Sequence, residues 1–344
     1  MHPRHPWRHA DHPHPPHTGL SPGWLVAALT YFCAVSLAHL QISLWIARPR
    51  SGPGGAFAIK DFVPEVALAG AALLLAWLAF KAWKAPRPWP VLALWLLLSL
   101  AVGVIDRFLT FSAPEYAHYP QFALLAWLLA RALDPTLARY IPGRILFWTT
   151  LLGALDELVQ YLWITTSYSE YLDFNDILVN MLGGAAGVLI YYGFTRPHPP
   201  TSWSRPRLEL LTALVLSTAI LLGLQTERIV TMPTSKVPAG GFMRDQGDAA
   251  TLRFYLQRTV PARYATYNKS PYRGQYWILD PASGIALTLL GGLLLGPLIR
   301  AGTQAGAARA AGPAEPEAPA PPQTIATRAG PTTSAAPIAA QAAD

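Results

Sequence analysis

The stretch from residue 156 to residue 187 reads DELVQYLWITTSYSEYLDFNDILVNMLGGAAG, and it sets Asp156, Glu157, Gln160, Asp173, Asp176 and Asn180 between two apolar runs. A second set, Glu115, His118 and Gln121, stands at the start of another apolar run, in EYAHYPQF. Glu157 and Asp176 read as a carboxylate pair. Two like charges held close favour keeping one proton, or taking up a cation between them. His118, with Glu115 three residues earlier, suits general-base work. Gln160 and Asn180 offer amide donors and acceptors to a ligand or to a neighbouring helix. One histidine and two carboxylates are enough to ligate a metal ion, yet no spacing here is diagnostic of one. No metal or cofactor is therefore expected from the sequence. Asp173 and Asn175 are natural helix N-caps.

The cost of these groups depends on the solvent around them, and composition identifies it. Hydrophobic residues make up 52% of the 344 and charged residues 13%, with a mean hydropathy of +0.27. An ordinary globular domain carries about 25% charged residues. The two ends differ from the rest. Residues 1–23 are dominated by His and Pro and residues 301–344 by Ala, Pro, Gly and Thr, so both read as disordered tails. Between them the composition is that of a polytopic membrane protein.

A spanning helix needs about 20 mostly apolar residues. Eight segments qualify as expected spans: 24–46, 62–83, 89–105, 119–133, 144–163, 176–194, 208–225 and 281–299. The first is too long for a signal peptide and lacks an A-x-A-like site before a soluble domain, which makes it an uncleaved anchor. The expected fold is thus an all-α polytopic transmembrane bundle of about eight helices. Its parts are two N-terminal helices within 24–86, a four-helix core at 87–195, and two further helices within 196–300 flanking a long loop, 227–280.

Lys and Arg set the expected orientation. With the N-terminus inside, cytoplasmic segments receive Arg4, Arg8, Lys81, Lys84, Arg87, Arg131, Arg139, Arg144, Arg196, Arg205 and Arg207. The short outer loops carry only Arg48, Arg50, Lys60 and Arg107. The loop 227–280 holds eight Lys or Arg and would be outside, but long loops obey the rule poorly. Both termini are expected in the cytoplasm.

This topology brings the polar residues to one level. Glu157 and Gln160 lie toward the outer end of the fifth helix, one turn apart on one face. Asp176 and Asn180 stand at i and i+4 at the start of the sixth. Glu115, His118 and Gln121 introduce the fourth. Gly183 and Gly187 form a G-x-x-x-G that lets a neighbouring helix approach closely. Intramembrane ionisable groups are costly and usually have a task, which favours function for Glu157, Asp176 and His118. Gln160 and Asn180 also fit plain interhelical hydrogen bonding, worth about 0.6 kcal/mol on average.

The order E-x-x-H, apolar helix, E-x-x-Q, then D-x-x-x-N-x-x-G-x-x-x-G resembles the VanZ-like family of bacterial membrane proteins. Here it reads Glu115, His118, Glu157, Gln160, Asp176, Asn180, Gly183 or Gly184, and Gly187, with Asp173 at the acidic position just upstream. The likeness covers roughly residues 90 to 195. Two departures stand out. The Arg common before the motif Asp is missing, with Glu170 nearby instead, and the Tyr that often follows the His is Phe122. The resemblance implies a bacterial inner-membrane protein associated with low-level resistance to the lipoglycopeptide teicoplanin, through a biochemical activity that is not established. Its partners would be membrane lipids and a lipid-linked envelope precursor or lipoglycopeptide. The alternative is a non-enzymatic scaffold or accessory subunit whose polar cluster is helix glue.

Other features point less far. Six of the nine histidines lie in the first 17 residues, in what reads as a solvated leader. Cys33 is the one cysteine, so no disulfide is available. The net charge of +7 suits anionic lipid surfaces and gives no reason to invoke nucleic acid. Within 227–280, DAATLRFYLQRTV reads as a short amphipathic helix on the bilayer surface, followed by a Tyr- and Arg-rich stretch that also suits a protein partner. No phosphate-binding glycine loop or HExxH occurs.

Overall fold

The computed structural model describes residues 19–52, 55–164, 171–195, 207–226, 228–232, 243–245, 252–257, 264, 267–270 and 274–308. The His- and Pro-rich leader up to residue 18, Ser169, Glu170 and residues 309–344 lie outside that set. The chain is mostly helical: α1 (Pro22–Ala47), α2 (Val63–Lys84), α3 (Trp89–Phe108), α4 (His118–Leu133), α5 (Pro142–Val159), α6 (Phe174–Tyr192), α7 (Arg207–Gln225) and α8 (Pro281–Ala308). Each of the eight expected segments is a helix. The last runs on through AGTQAGAA to Ala308, where an unstructured tail was expected from 301. Alanine-rich sequence favours helix once a preceding helix has nucleated it.

Among the described residues, five helices are long and apolar enough to cross a membrane: α2, α3, α5 with its extension, α6 and α8. The apolar stretches Pro22–Ala38 and Glu209–Gln225 are shorter, and α4 has 16 residues. Burial separates the five sharply. The apolar window of α6 is 89% buried inside the protein, that of α2 only 6%. So α6 is the central helix, packed by α3, α4, α5 and α8, whereas α2 touches the body mainly through α3 and the 3-10 turns at 59–62 and 113–117. Leu68, Leu73, Leu75, Leu96, Leu100, Leu214 and Leu294 stand exposed on the outer helices. Apolar surface of that extent is what hydrocarbon would cover.

The helices alternate in direction, giving the bundle two ends. At the far end, Asp134 gathers α4, α5 and α6. Its carboxylate accepts from Arg139 N at 3.0 Å, Tyr140 N at 2.8 Å and the Tyr192 hydroxyl at 2.7 Å. The Tyr191 hydroxyl donates to its carbonyl at 2.7 Å. Ser21 N reaches Ala132 O there at 2.9 Å, and Arg144 pairs with the buried Glu209 of α7. At the near end, the Asn175 amide donates to Leu109 O at 2.9 Å and Trp277 O at 2.6 Å, and its oxygen accepts from Leu279 N at 3.2 Å. One side chain therefore joins the end of α3, the start of α6 and the approach to α8.

Short strands decorate the bundle. β1 (Arg50–Gly52) and β2 (Gly55–Phe57) pair antiparallel, as do β6 (Tyr267–Ser270) and β7 (Gly274–Trp277). A three-stranded sheet has the order β3-β5-β4, with β3 (Ile229–Met232) parallel to β5 (Leu252–Gln257) and β4 (Met243–Asp245) antiparallel to it. β5 corrects the sequence expectation of an amphipathic helix in DAATLRFYLQRTV. An isolated helix of that length is marginal. Here β3 and β4 supply backbone partners on both sides, and Phe254 and Tyr255 suit a strand.

Candidate functional site

The polar residues converge at the near end, where α4 and α6 begin and α5 finishes. His118 is the first residue of α4 and is 3% exposed. Ser112 and Glu115 place it: they form a capping box on the 3-10 turn Ala113–Ala117, which runs straight into α4. Glu115 accepts from Phe111 N at 2.9 Å, Ser112 N at 2.8 Å and the Ser112 hydroxyl at 3.1 Å. Both of its oxygens are thereby used in fixing the turn. Burial, then the Asp176 and Asp173 charges, hold its carboxyl well above the usual carboxylate range. Phe122, four residues after His118, lies parallel to the imidazole at 6.2 Å between ring centroids.

Asp156 and Glu157 come from the last turn of α5, and both are buried. At Gln160 the helix widens into a π-helical turn, Gln160–Ile164. Such turns are rare and often occur at functional positions. Gln160 reaches back to both acids, donating to Asp156 Oδ2 at 3.0 Å and Glu157 Oε1 at 3.5 Å.

Asp173 caps α6. Its Oδ1 accepts from Asn175 N at 2.9 Å and Asp176 N at 3.2 Å. Burial raises its carboxyl, against the lowering effect of those two amides. The capping role expected of Asp173 is thus observed, and Asn175 is instead the clamp described above. Asp176 follows in the first turn, and Asn180, one turn on, is fully buried.

His118 joins the three helices. Its Nδ1 is 2.8 Å from Asn180 Oδ1 and 3.9 Å from Glu157 Oε1, and its Nε2 is 3.8 Å from Asp176 Oδ2. Asn180 Nδ2 donates to Glu157 Oε1 at 3.3 Å. Since that amide nitrogen faces Glu157, the carbonyl faces His118, and Nδ1 carries the proton in this bond. The Asp156, Glu157 and Asp176 carboxylates have no Lys or Arg partner among the described residues. The chain matches no protein family model, no curated protein and no solved structure.

Three glycines of α6 make this closeness possible. A Cβ on Gly183 would sit 2.8 Å from Tyr119 O, and one on Gly187 would overlap the Ala123 carbonyl of α4. A Cβ on Gly184 would sit 2.9 Å from Thr149 Cγ2 of α5. On α5, a Cβ on Gly153 would meet Asn180 Cβ at 2.8 Å.

Of the site residues read from the sequence, His118, Glu157, Gln160, Asp176 and Asn180 share the cluster, while Glu115 and Asp173 cap the turns that carry it. Gln121 contributes its backbone carbonyl, which accepts from the Tyr31 hydroxyl at 3.2 Å. Asp156 is the member that sequence reasoning left out. It stands among the polar residues of the stretch but was given no role, although its i, i+4 spacing puts it on one helix face with Gln160.

Proposed function

We propose that this chain is a multi-pass protein of a bacterial inner membrane, crossing eight times with both termini in the cytoplasm. Its buried cluster is then an extracytoplasmic-side pocket of the VanZ-like kind, which binds or acts on an envelope lipid or lipoglycopeptide. The observation that carries this is the meeting of four motif positions, His118, Glu157, Asp176 and Asn180, from three helices. Buried ionisable groups are expensive unless paired or used, and here the acids outnumber the one imidazole that faces them. Such a site can hold a proton, a cation or a cationic head group. His118, oriented through Nδ1, has Nε2 turned toward Asp176 for proton transfer.

A second reading has one specific observation in its favour. Asn180 bonds His118 on one helix and Glu157 on another, which is how a structural interhelical clamp would look. Isosteric exchange separates the two. Glu157→Gln and Asp176→Asn keep size and hydrogen-bonding capacity, so both proteins should reach near-normal membrane levels. Each should fail to restore the lipoglycopeptide sensitivity profile and envelope lipid composition of a deletion strain. Full complementation by both would leave a scaffold, and loss of the protein itself would make the cluster structural.

A further inference from the structure

The cluster contains more negative charge than its protein partners neutralise. Asp156 is 1% exposed and Glu157 3% exposed, and among the described residues neither faces a Lys or Arg. A buried carboxylate without compensation costs several kcal/mol even after relaxation. Asp156 Oδ2 takes the Gln160 amide, but Asp156 Oδ1 is buried with no hydrogen-bond partner among the described residues. Asp176 Oδ1 is in the same condition. Buried polar atoms are nearly always satisfied, so an orphaned carboxylate oxygen in such a place implies something to be bound.

The geometry points to a cation. One ligand atom each from His118, Asp156 and Glu157 lies within 4.8 Å of the others. Around an ion with ligands at about 2.1 Å, two ligand atoms are at most about 4.2 Å apart, so modest side-chain rotation closes the set. An imidazole with carboxylates and no thiolate suits a first-row divalent ion such as Zn2+ or Mn2+. Hydrogen bonds that would orient the ligands are already in place: Asn180 holds both His118 and Glu157, and Gln160 holds both Asp156 and Glu157. Charge also balances, since one divalent ion neutralises Asp156 and Glu157 while a neutral His118 keeps its Nδ1 proton on Asn180 and gives its Nε2 lone pair to the ion instead of to a proton shared with Asp176.

We infer that His118, Asp156 and Glu157 form a binding site for one first-row divalent cation, with Asp176 at its edge. This rests on the cluster being a working site, as proposed above, and names what it holds.

The test is metal content and titration with Zn2+ and with Mn2+ on the full chain in mild detergent, after dialysis against a chelator. Because the leader contains six histidines, the reference protein carries all six exchanged for Ser. One tightly bound ion per chain should remain in that reference. Asp156→Asn and Glu157→Gln should each weaken its binding tenfold or more, with size-exclusion profile and melting temperature confirming that they are folded. Asp280→Asn, outside the cluster, should bind as the reference does. Absence of a bound ion from the reference with both metals, or affinity unchanged by both substitutions, would overturn the site. Complementation distinguishes this from the functional proposal. Metal-free variants that complement fully would leave the metal site and remove the function. Inactive Glu157→Gln in a chain that never binds metal would do the reverse.

Discussion

His118 and Asn180, 62 residues apart, meet at 2.8 Å through Nδ1 and Oδ1. The pair fixes the imidazole tautomer and, through the second Asn180 bond, ties it to Glu157. Removing the amide should therefore be felt on two helices. Asn180→Leu, of similar size, removes the acceptor of the His118 Nδ1 bond and one of the two amide donors to Glu157 Oε1, and a buried polar group deprived of its partner costs about 1–3 kcal/mol. Melting of the purified protein should fall accordingly. Combined with His118→Phe, the loss should be clearly smaller than the sum of the two single changes, because both delete the same contact. Simple additivity would show that the two side chains do not interact.

Glycine substitutions should divide by position. In a helix, Gly→Ala normally gains up to about 1 kcal/mol. Gly187 lies against the Ala123 carbonyl with no room for a methyl group, whereas nothing lies within 4 Å of the Cβ position at Gly292. Gly187→Ala should cost about 3 kcal/mol or more and lower the amount of folded protein recovered. Gly292→Ala should be neutral or slightly stabilising. Fluorescence-detected size exclusion of tagged variants reads both, and equal recovery would contradict the close approach of α4 and α6.

Orientation can be read with thiols. In a Cys33→Ser background, Gln275→Cys lies exposed at the cluster end of the bundle and Pro86→Cys is exposed between α2 and α3. With the N-terminus inside, an impermeant maleimide added to intact cells should label position 275 and spare position 86. The opposite pattern would move the cluster to the cytoplasmic side.

Helix α8 has an acid-sensitive start. Asp280 accepts from the Ser283 hydroxyl at 2.7 Å and from the amides of Ala282 and Ser283 at 2.9 and 3.1 Å. The Ser283 hydroxyl, then the backbone amides, lower its carboxyl below the ordinary value of 3.8. A depressed folded value means stabilisation that is present above the unfolded value and lost as pH falls through the folded one. Asp280→Ala should therefore melt below the parent at neutral pH. The gap should begin to close under about pH 3.8 and vanish at lower pH. A gap independent of pH would remove the charge from the capping interaction.

Much of this architecture is legible locally. Apolar length, Pro near helix starts and flanking polar turns are properties of contiguous residues, which is why all eight expected segments are helical within a few residues. The motif residues His118, Glu157, Asp176 and Asn180 were legible for the same reason, as polar groups inside runs where each is costly. Asp173 was readable as a cap because capping is a contact over two or three residues.

Tertiary packing decided the rest. Which helix lies at the centre depends on where Gly183, Gly184 and Gly187 meet other backbones, and no single segment encodes that. Asp156 joins the cluster because α4 and α6 close over the end of α5 and enclose both adjacent acids. Asn175 looked like a cap and became a clamp when Leu109 and Trp277, remote in the chain, arrived with carbonyls to satisfy. LRFYLQ became a strand because β3 and β4 offered hydrogen bonds that a lone short helix could not match. In each case the outcome turned on a partner distant in sequence, and periodicity carries no information about such partners.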